Sequence, residues 1–146
     1  MNQQSIHASA VLVGARAVLI RGASGSGKST LAFALVRAGS TLPFTRLVGD
    51  DRVHVEAAHG RLLVRPAATL QGLIEIHGLG IRRLPFEPVA VVGLVVDLGA
   101  PPERLPGPES AVAELAGITL PRLAVAPPAD PFSAVYAALR TADSGQ

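Results

Sequence analysis

The eight residues Gly22-Ala23-Ser24-Gly25-Ser26-Gly27-Lys28-Ser29 follow the pattern G-x-x-x-x-G-K-[ST], and each residue type has a physical reason to be there. Glycines let the backbone wrap so that successive N–H groups point inward at an anion. A helix starting at Lys28 adds unpaired N–H groups and the favourable end of its dipole. Lys28 can reach outer phosphates as a point charge, and Ser29 can place its hydroxyl on Mg²⁺. Thr30 extends the binding stretch. The chemistry is the capture of a phosphate chain.

Two carboxylates follow, Asp50 and Asp51, after the short apolar segment Leu47-Val48-Gly49. An acidic residue at such a strand end can hold Mg²⁺, directly or through water. A pair allows a division of labour, with one carboxylate near the metal and the other near an acceptor hydroxyl as base. An Asp-rich turn is the plain alternative. Glu75 lies within Leu73-Ile74-Glu75-Ile76 and is followed by His77-Gly78-Leu79-Gly80. Alternation leaves two places for it, the site or a solvated face. The four histidines lack close metal-ligand spacing. His54 and His59 read as surface or hydrogen-bonded imidazoles.

The elements that must hold these groups are short. Ile6 to Val13 and Ala17 to Ile20 read as strands about Gly14, a hairpin leading into the glycine loop. Lys28 to Ala38 reads as a helix, since Leu31, Ala34, Leu35 and Ala38 recur on one face before Gly39. Arg52 to Glu56 and Arg61 to Arg65 alternate as strands around a turn at Ala57, Ala58, His59 and Gly60. Val89 to Leu98 is β-rich and reads as buried on both faces. Pro101, Pro102, Pro106 and Pro108 mark a loop, after which Ser110 caps an expected short helix through Leu115. Leu120 to Ala126 reads as a last strand or extended segment. Asp130-Pro131 starts a helix carrying Phe132, Val135, Tyr136 and Leu139, a docking helix at about 131–140. Thr141 to Gln146 reads as a frayed end. No domain boundary is evident, so residues 1–146 read as one P-loop domain.

Composition narrows the classes. The chain of 146 residues is 49% hydrophobic and 16% charged, enough to fill a core. Its net charge of +2 gives little reason to expect nucleic acid as a partner. The longest apolar run, Val89 to Val96, is far short of the roughly 18–20 residues of a membrane span. Without cysteine there is no thiolate chemistry, which fits a cytoplasmic protein. Twelve arginines accompany a single lysine, Lys28. Where nearly every cation is Arg, the one Lys marks a place where a slim point charge is needed in place of a planar fork.

Three segments together resemble the HPr kinase/phosphorylase family. They are His7 before two strands and the glycine loop, Leu47-Val48-Gly49-Asp50-Asp51-Arg52-Val53, and Leu73-Ile74-Glu75-Ile76-His77-Gly78-Leu79-Gly80-Ile81. The last is similar to the family signature, and the likeness spans about residues 5–98. The size resembles the short proteobacterial form. The resemblance implies an α/β domain with a mixed sheet, like the phosphoenolpyruvate carboxykinase core. It implies an ATP- and Mg²⁺-dependent serine kinase acting on HPr or an HPr-like phosphocarrier of the phosphotransferase system. Phosphorolysis of the phosphoserine and a homohexamer are further implications. Carried onto this chain, Gly22 to Thr30 bind ATP, while Ser29 holds Mg²⁺ with Glu75 and Asp50. Asp51 is the base that accepts the serine proton and the acid that returns it, and His7 lies beside the site and aids the phosphorolytic direction. Thr30 stands where the family commonly has Glu, Ala8 where it has Gly, and His77 where it has Arg. Arg82 and Arg83 are the nearest candidates for contact with HPr. The competing readings are a small-molecule kinase on a related P-loop core and a non-catalytic nucleotide-binding homologue.

Overall fold

A computed structural model describes residues 3–100 and 111–141. Eleven strands and two α-helices are described: β1 Gln4–Ile6, β2 Ala8–Val13, β3 Arg16–Arg21, α1 Lys28–Arg37, β4 Thr45–Gly49, β5 Val53–Ala58, β6 Arg61–Pro66, β7 Leu73–Ile76, β8 Gly80–Arg83, β9 Ala90–Leu98, β10 Val112–Leu115, β11 Ile118–Val125 and α2 Pro131–Arg140. Nine strands form one sheet in the order β1-β5-β6-β9-β3-β2-β4, with β11 also on β9 and β10 on β11. β9 runs parallel to β3 and β11 and antiparallel to β6. The sheet is therefore mixed, as the family resemblance implies. β7 and β8 form a separate antiparallel hairpin.

Period-two alternation sorts the side chains. Ala17 and Leu19 of β3 enter one apolar cluster, and Val18 and Ile20 enter the other. The second cluster takes Leu31, Ala32 and Leu35 of α1 and the fully buried Val135 of α2. The first takes Val53 and Val55 of β5 with Leu62 and Val64 of β6. Helices thus cover one face of the central strands, and the outer strands bend over the other.

The helices begin where the sequence places them. Asp130 caps α2 by accepting from the Ser133 amide at 3.0 Å. The Ser133 hydroxyl also donates to it, and together these bonds hold the Asp130 carboxyl below its ordinary range. Among the described residues no helix is long and apolar enough to cross a membrane.

Two local readings change, and one strand is new. The expected helix from Ser110 through Leu115 is the strand β10 over Val112–Leu115; Ser110 itself lies outside the described residues. Its partner β11 decides the matter, since a two-residue turn at Ala116 (φ 51°) and Gly117 (φ 80°) pairs Leu115 with Ile118. The single strand expected over Ile6 to Val13 is broken at His7, where the chain leaves its pairing with β5 and joins β3 and β4. Gly80–Arg83 pairs with β7 although all four of its residues are exposed. The proline-rich loop at Pro101, Pro102, Pro106 and Pro108 and the end beyond Thr141 lie outside the described residues.

Candidate active site

The glycine loop leaves the end of β3 and turns into α1. Gly27 stands at the helix start with φ 102°, and no side chain caps the first turn. Gly25 has φ 81°. A Cβ at either glycine would project into open space, so the loop backbone borders an uncrowded cradle. The first turn of α1 carries no acidic residue. That set of features suits an anion.

Lys28 is buried, and its ammonium donates to the carbonyl of Gly22 at 2.8 Å and of Ala23 at 3.1 Å. Ser29 donates its hydroxyl to both Asp50 carboxylate oxygens at 2.8 Å. Asp50 is only 4% exposed. It also accepts from the Ser9 hydroxyl at 2.6 Å and the Glu75 amide at 3.4 Å. Since the Ser29 hydrogen points at Asp50, its lone pairs remain free for a cation.

Asp51 behaves differently. Its backbone is left-handed, with φ 71°, and this turns the side chain outward, 67% exposed. Oδ1 lies 2.9 Å from Nε2 of His7. One sequence position therefore separates a buried carboxylate from an exposed one.

A cleft of about 330 Å³ gathers Ser24, Gly25, Gly27, Lys28, Ser29 and Thr30 with His7, Asp51, Glu75 and His77. An adjoining, more apolar hollow of about 380 Å³ runs past Asp50, Asp51 and Glu75 to Leu70, Leu73, Ile74 and Ile81. Of the residues expected at the site, Gly22, Ala23, Ser26 and Asp50 do not line the cleft; Asp50 lines the adjoining hollow. Gly22 and Ala23 serve Lys28 through their carbonyls, and the Ser26 hydroxyl is buried without a hydrogen-bond partner. His54 and His59 stay outside both spaces.

The fit to Mg²⁺ rests on the donor set. Among the described residues no three carboxylates or imidazoles cluster as a ready-made metal site. Mg²⁺ is commonly held by one or two carboxylates together with substrate phosphates. Ser29, Asp50 and the cleft-lining Glu75 match that arrangement.

Two features escaped the sequence reading. Ser9, wholly buried, was hidden in an apolar strand; its only signal was one hydroxyl in an Ala/Val run. The other is a clamp behind the loop. Arg21, the residue before Gly22, donates to Asp97 at 2.7 and 2.8 Å, and Arg122 donates to the same carboxylate. Burial pushes the Asp97 carboxyl up, but the hydrogen bonds and charges of the two arginines outweigh it, leaving it below its ordinary value. The Asp97 hydrogen bond raises the Arg21 guanidinium against burial.

Strand, glycine loop and helix in succession, set on a mixed sheet, make this a P-loop domain of an uncommon, not fully parallel kind. The profile of the HPr Serine kinase C-terminal domain matches residues 1–84, and the chain belongs to that family. The HPr kinase/phosphorylase of Streptococcus thermophilus is 46% identical over 78 residues, 53% of this chain and 24% of that protein. The HPr kinase/phosphorylase of Limosilactobacillus reuteri is 44% identical over 80 residues, 54% of this chain and 23% of that protein. The matched segment thus spans about a quarter of these relatives. The structure described as the Hpr(Ser) kinase/phosphatase from Coxiella burnetii superposes with a TM-score of 0.74 at 25% identity, covering 94% of this chain and 88% of that one. The family resemblance and the mixed sheet expected from sequence are both borne out.

Proposed function

We propose that this chain is an ATP- and Mg²⁺-dependent serine kinase acting on HPr or an HPr-like phosphocarrier protein, with phosphorolysis of the phosphoserine by inorganic phosphate as a second, dephosphorylating activity. The observation that carries the reading is the division of Asp50 and Asp51. A buried carboxylate serves Ser29 at the loop, and an exposed one lies beside His7 at the rim of the same cleft.

Each group has a role that follows from its position. The loop amides and Lys28 would hold the phosphate chain, with Lys28 exchanging its two carbonyl partners for phosphate oxygens. Ser29 and Asp50, with Glu75, would hold Mg²⁺. When bound, Mg²⁺ supplies charge neutralisation on the transferring phosphoryl group. Asp51 takes the proton from the acceptor serine as its oxygen bonds to the γ-phosphorus and the bond to ADP breaks. His7 orients Asp51. In phosphorolysis an oxygen of inorganic phosphate bonds to the phosphoserine phosphorus, the bond to the serine oxygen breaks, pyrophosphate forms, and Asp51 returns a proton to the serine oxygen. Most of the rate gain is positioning and electrostatics.

The test is incubation with γ-labelled ATP, Mg²⁺ and HPr. Acid-stable phosphoserine on HPr supports the reading. Label on a metabolite would point to a small-molecule kinase, and nucleotide binding without transfer to a signalling homologue. Assembly into a homohexamer belongs to the same proposal and is checked by analytical ultracentrifugation.

A further inference from the structure

We infer that Ser9 is a positioning residue for the nucleotide site, its hydroxyl fixing the Asp50 carboxylate in the orientation that holds Ser29 ready for a divalent cation. The inference rests on the P-loop reading above and adds to it a residue that reading gave no role.

Ser9 belongs to β2, on the face it shares with Val11, which packs in the apolar cluster under α1. An apolar side chain would suit that stripe. A hydroxyl there loses its water and stays unfavourable unless it finds a partner. Ser9 is 0% exposed and donates to Asp50 Oδ1 at 2.6 Å. The contact joins the start of β2 to the end of β4, where the sheet register shifts between Ala10 and Val11.

Asp50 needs such a partner. The terminal torsion of an Asp side chain has broad, poorly defined wells, so burial alone does not fix the carboxylate plane. The Ser29 hydroxyl contacts both oxygens at 2.8 Å and could follow either rotation. The Glu75 amide is distant, at 3.4 Å. The Ser9 bond is the shortest of the set and comes from a strand paired on both sides, by β3 and β4. All three donors are neutral, and among the described residues no cation pairs with Asp50. The carboxylate is therefore held in place while its charge is left for a cation. Outer partners of this kind commonly change metal affinity by about 10–100-fold when removed.

The experiment is a Mg²⁺ titration of binding of a fluorescent ATP analogue to the full chain. Ser9→Ala should need about tenfold more Mg²⁺ for half-maximal enhancement, with affinity in EDTA unchanged. Ser9→Thr, which keeps the hydroxyl, should restore most of the wild-type midpoint. In an Asp50→Asn background, Ser9→Ala should shift the midpoint no further. Equal weakening with and without Mg²⁺ would make Ser9 a packing residue and overturn the inference, as would an unmoved midpoint. Should Ser9→Ala not fold, Ser9→Cys replaces it, with its weak donor expected to move the midpoint the same way; a wild-type midpoint overturns the inference. A wild-type protein whose nucleotide binding ignores Mg²⁺ defeats the P-loop reading itself. That result is distinct from a Mg²⁺-dependent parent with an indifferent Ser9 variant.

Discussion

The Lys28 ammonium sits 2.8 Å from the carbonyl oxygen of Gly22, so the lysine closes the phosphate loop upon its own backbone. Its slim stem lets it enter the ring of loop atoms and leave it again for phosphate. Arg carries the same charge on a planar fork that the ring does not admit. Lys28→Arg should therefore weaken nucleotide binding about tenfold or more, the scale of a charge-assisted hydrogen bond. Titration with a fluorescent nucleotide checks this; full affinity in the variant would make the lone lysine of the chain a coincidence of composition.

Asp51→Asn should bind nucleotide normally and transfer phosphate at least about 10²-fold more slowly, the usual worth of a general base. The substitution is a clean one because Asn tolerates the left-handed backbone at this position, φ 71°. The single-turnover rate against HPr is the measurement. A parent-like rate would remove Asp51 from the role of base.

The Asp97 clamp gives stability a pH dependence of known sign. Its carboxyl is lowered in the folded chain, so the stabilisation is fully present above the unfolded carboxylate value of about 4 and is lost as pH falls through the lower folded value. Asp97→Asn should cost about 2 kcal/mol at neutral pH, with the difference from the parent shrinking below about pH 4. Urea unfolding across pH reads both. A constant difference would show that the charge contributes nothing.

Gly49 immediately precedes the two aspartates, and a Cβ there would lie 2.7 Å from Val53 Cγ1 and 3.2 Å from Pro66 Cα. Backbone cannot swing aside as a side-chain tip can. Gly49→Ala should destabilise by about 1–3 kcal/mol and weaken Mg²⁺-dependent binding by displacing Asp50. Thermal melts and nucleotide titration on the same sample check the pair of effects; a stable variant with intact binding would show that β4 has room to shift.

The parts legible in sequence are those fixed by local chemistry. The glycine loop, the face of α1 and the Asp130 cap depend on neighbours in the chain, and the structure has them where the residues suggest. Asp50 and Asp51 were readable as a pair, yet their opposite fates depend on one backbone angle that residue type does not state. β10 looked helical because periodicity is ambiguous over so few residues: Val112, Ala113, Glu114 and Leu115 take strand form only through β11. Ser9 and the Arg21–Asp97–Arg122 clamp rest on contacts across 41, 76 and 25 positions. Such pairings belong to the topology, and no window of sequence contains them.

The hairpin of β7 and β8 has a consequence for timescale. Among the described residues it pairs with no strand of the large sheet, and of its eight residues only Ile74 is buried. A lone two-stranded hairpin is marginal in water, so it depends on Ile74, on the partly buried Ile76 packed on the same apolar cluster, and on the Glu75 amide bond to Asp50. The carboxylates of the cleft then belong to two cooperative units. Asp50 shares the fate of the sheet, whereas Glu75 rides on a unit that can open by itself. Amide hydrogen exchange should show this as two tiers of protection, fast across β7 and β8 and slow through β3 and β9.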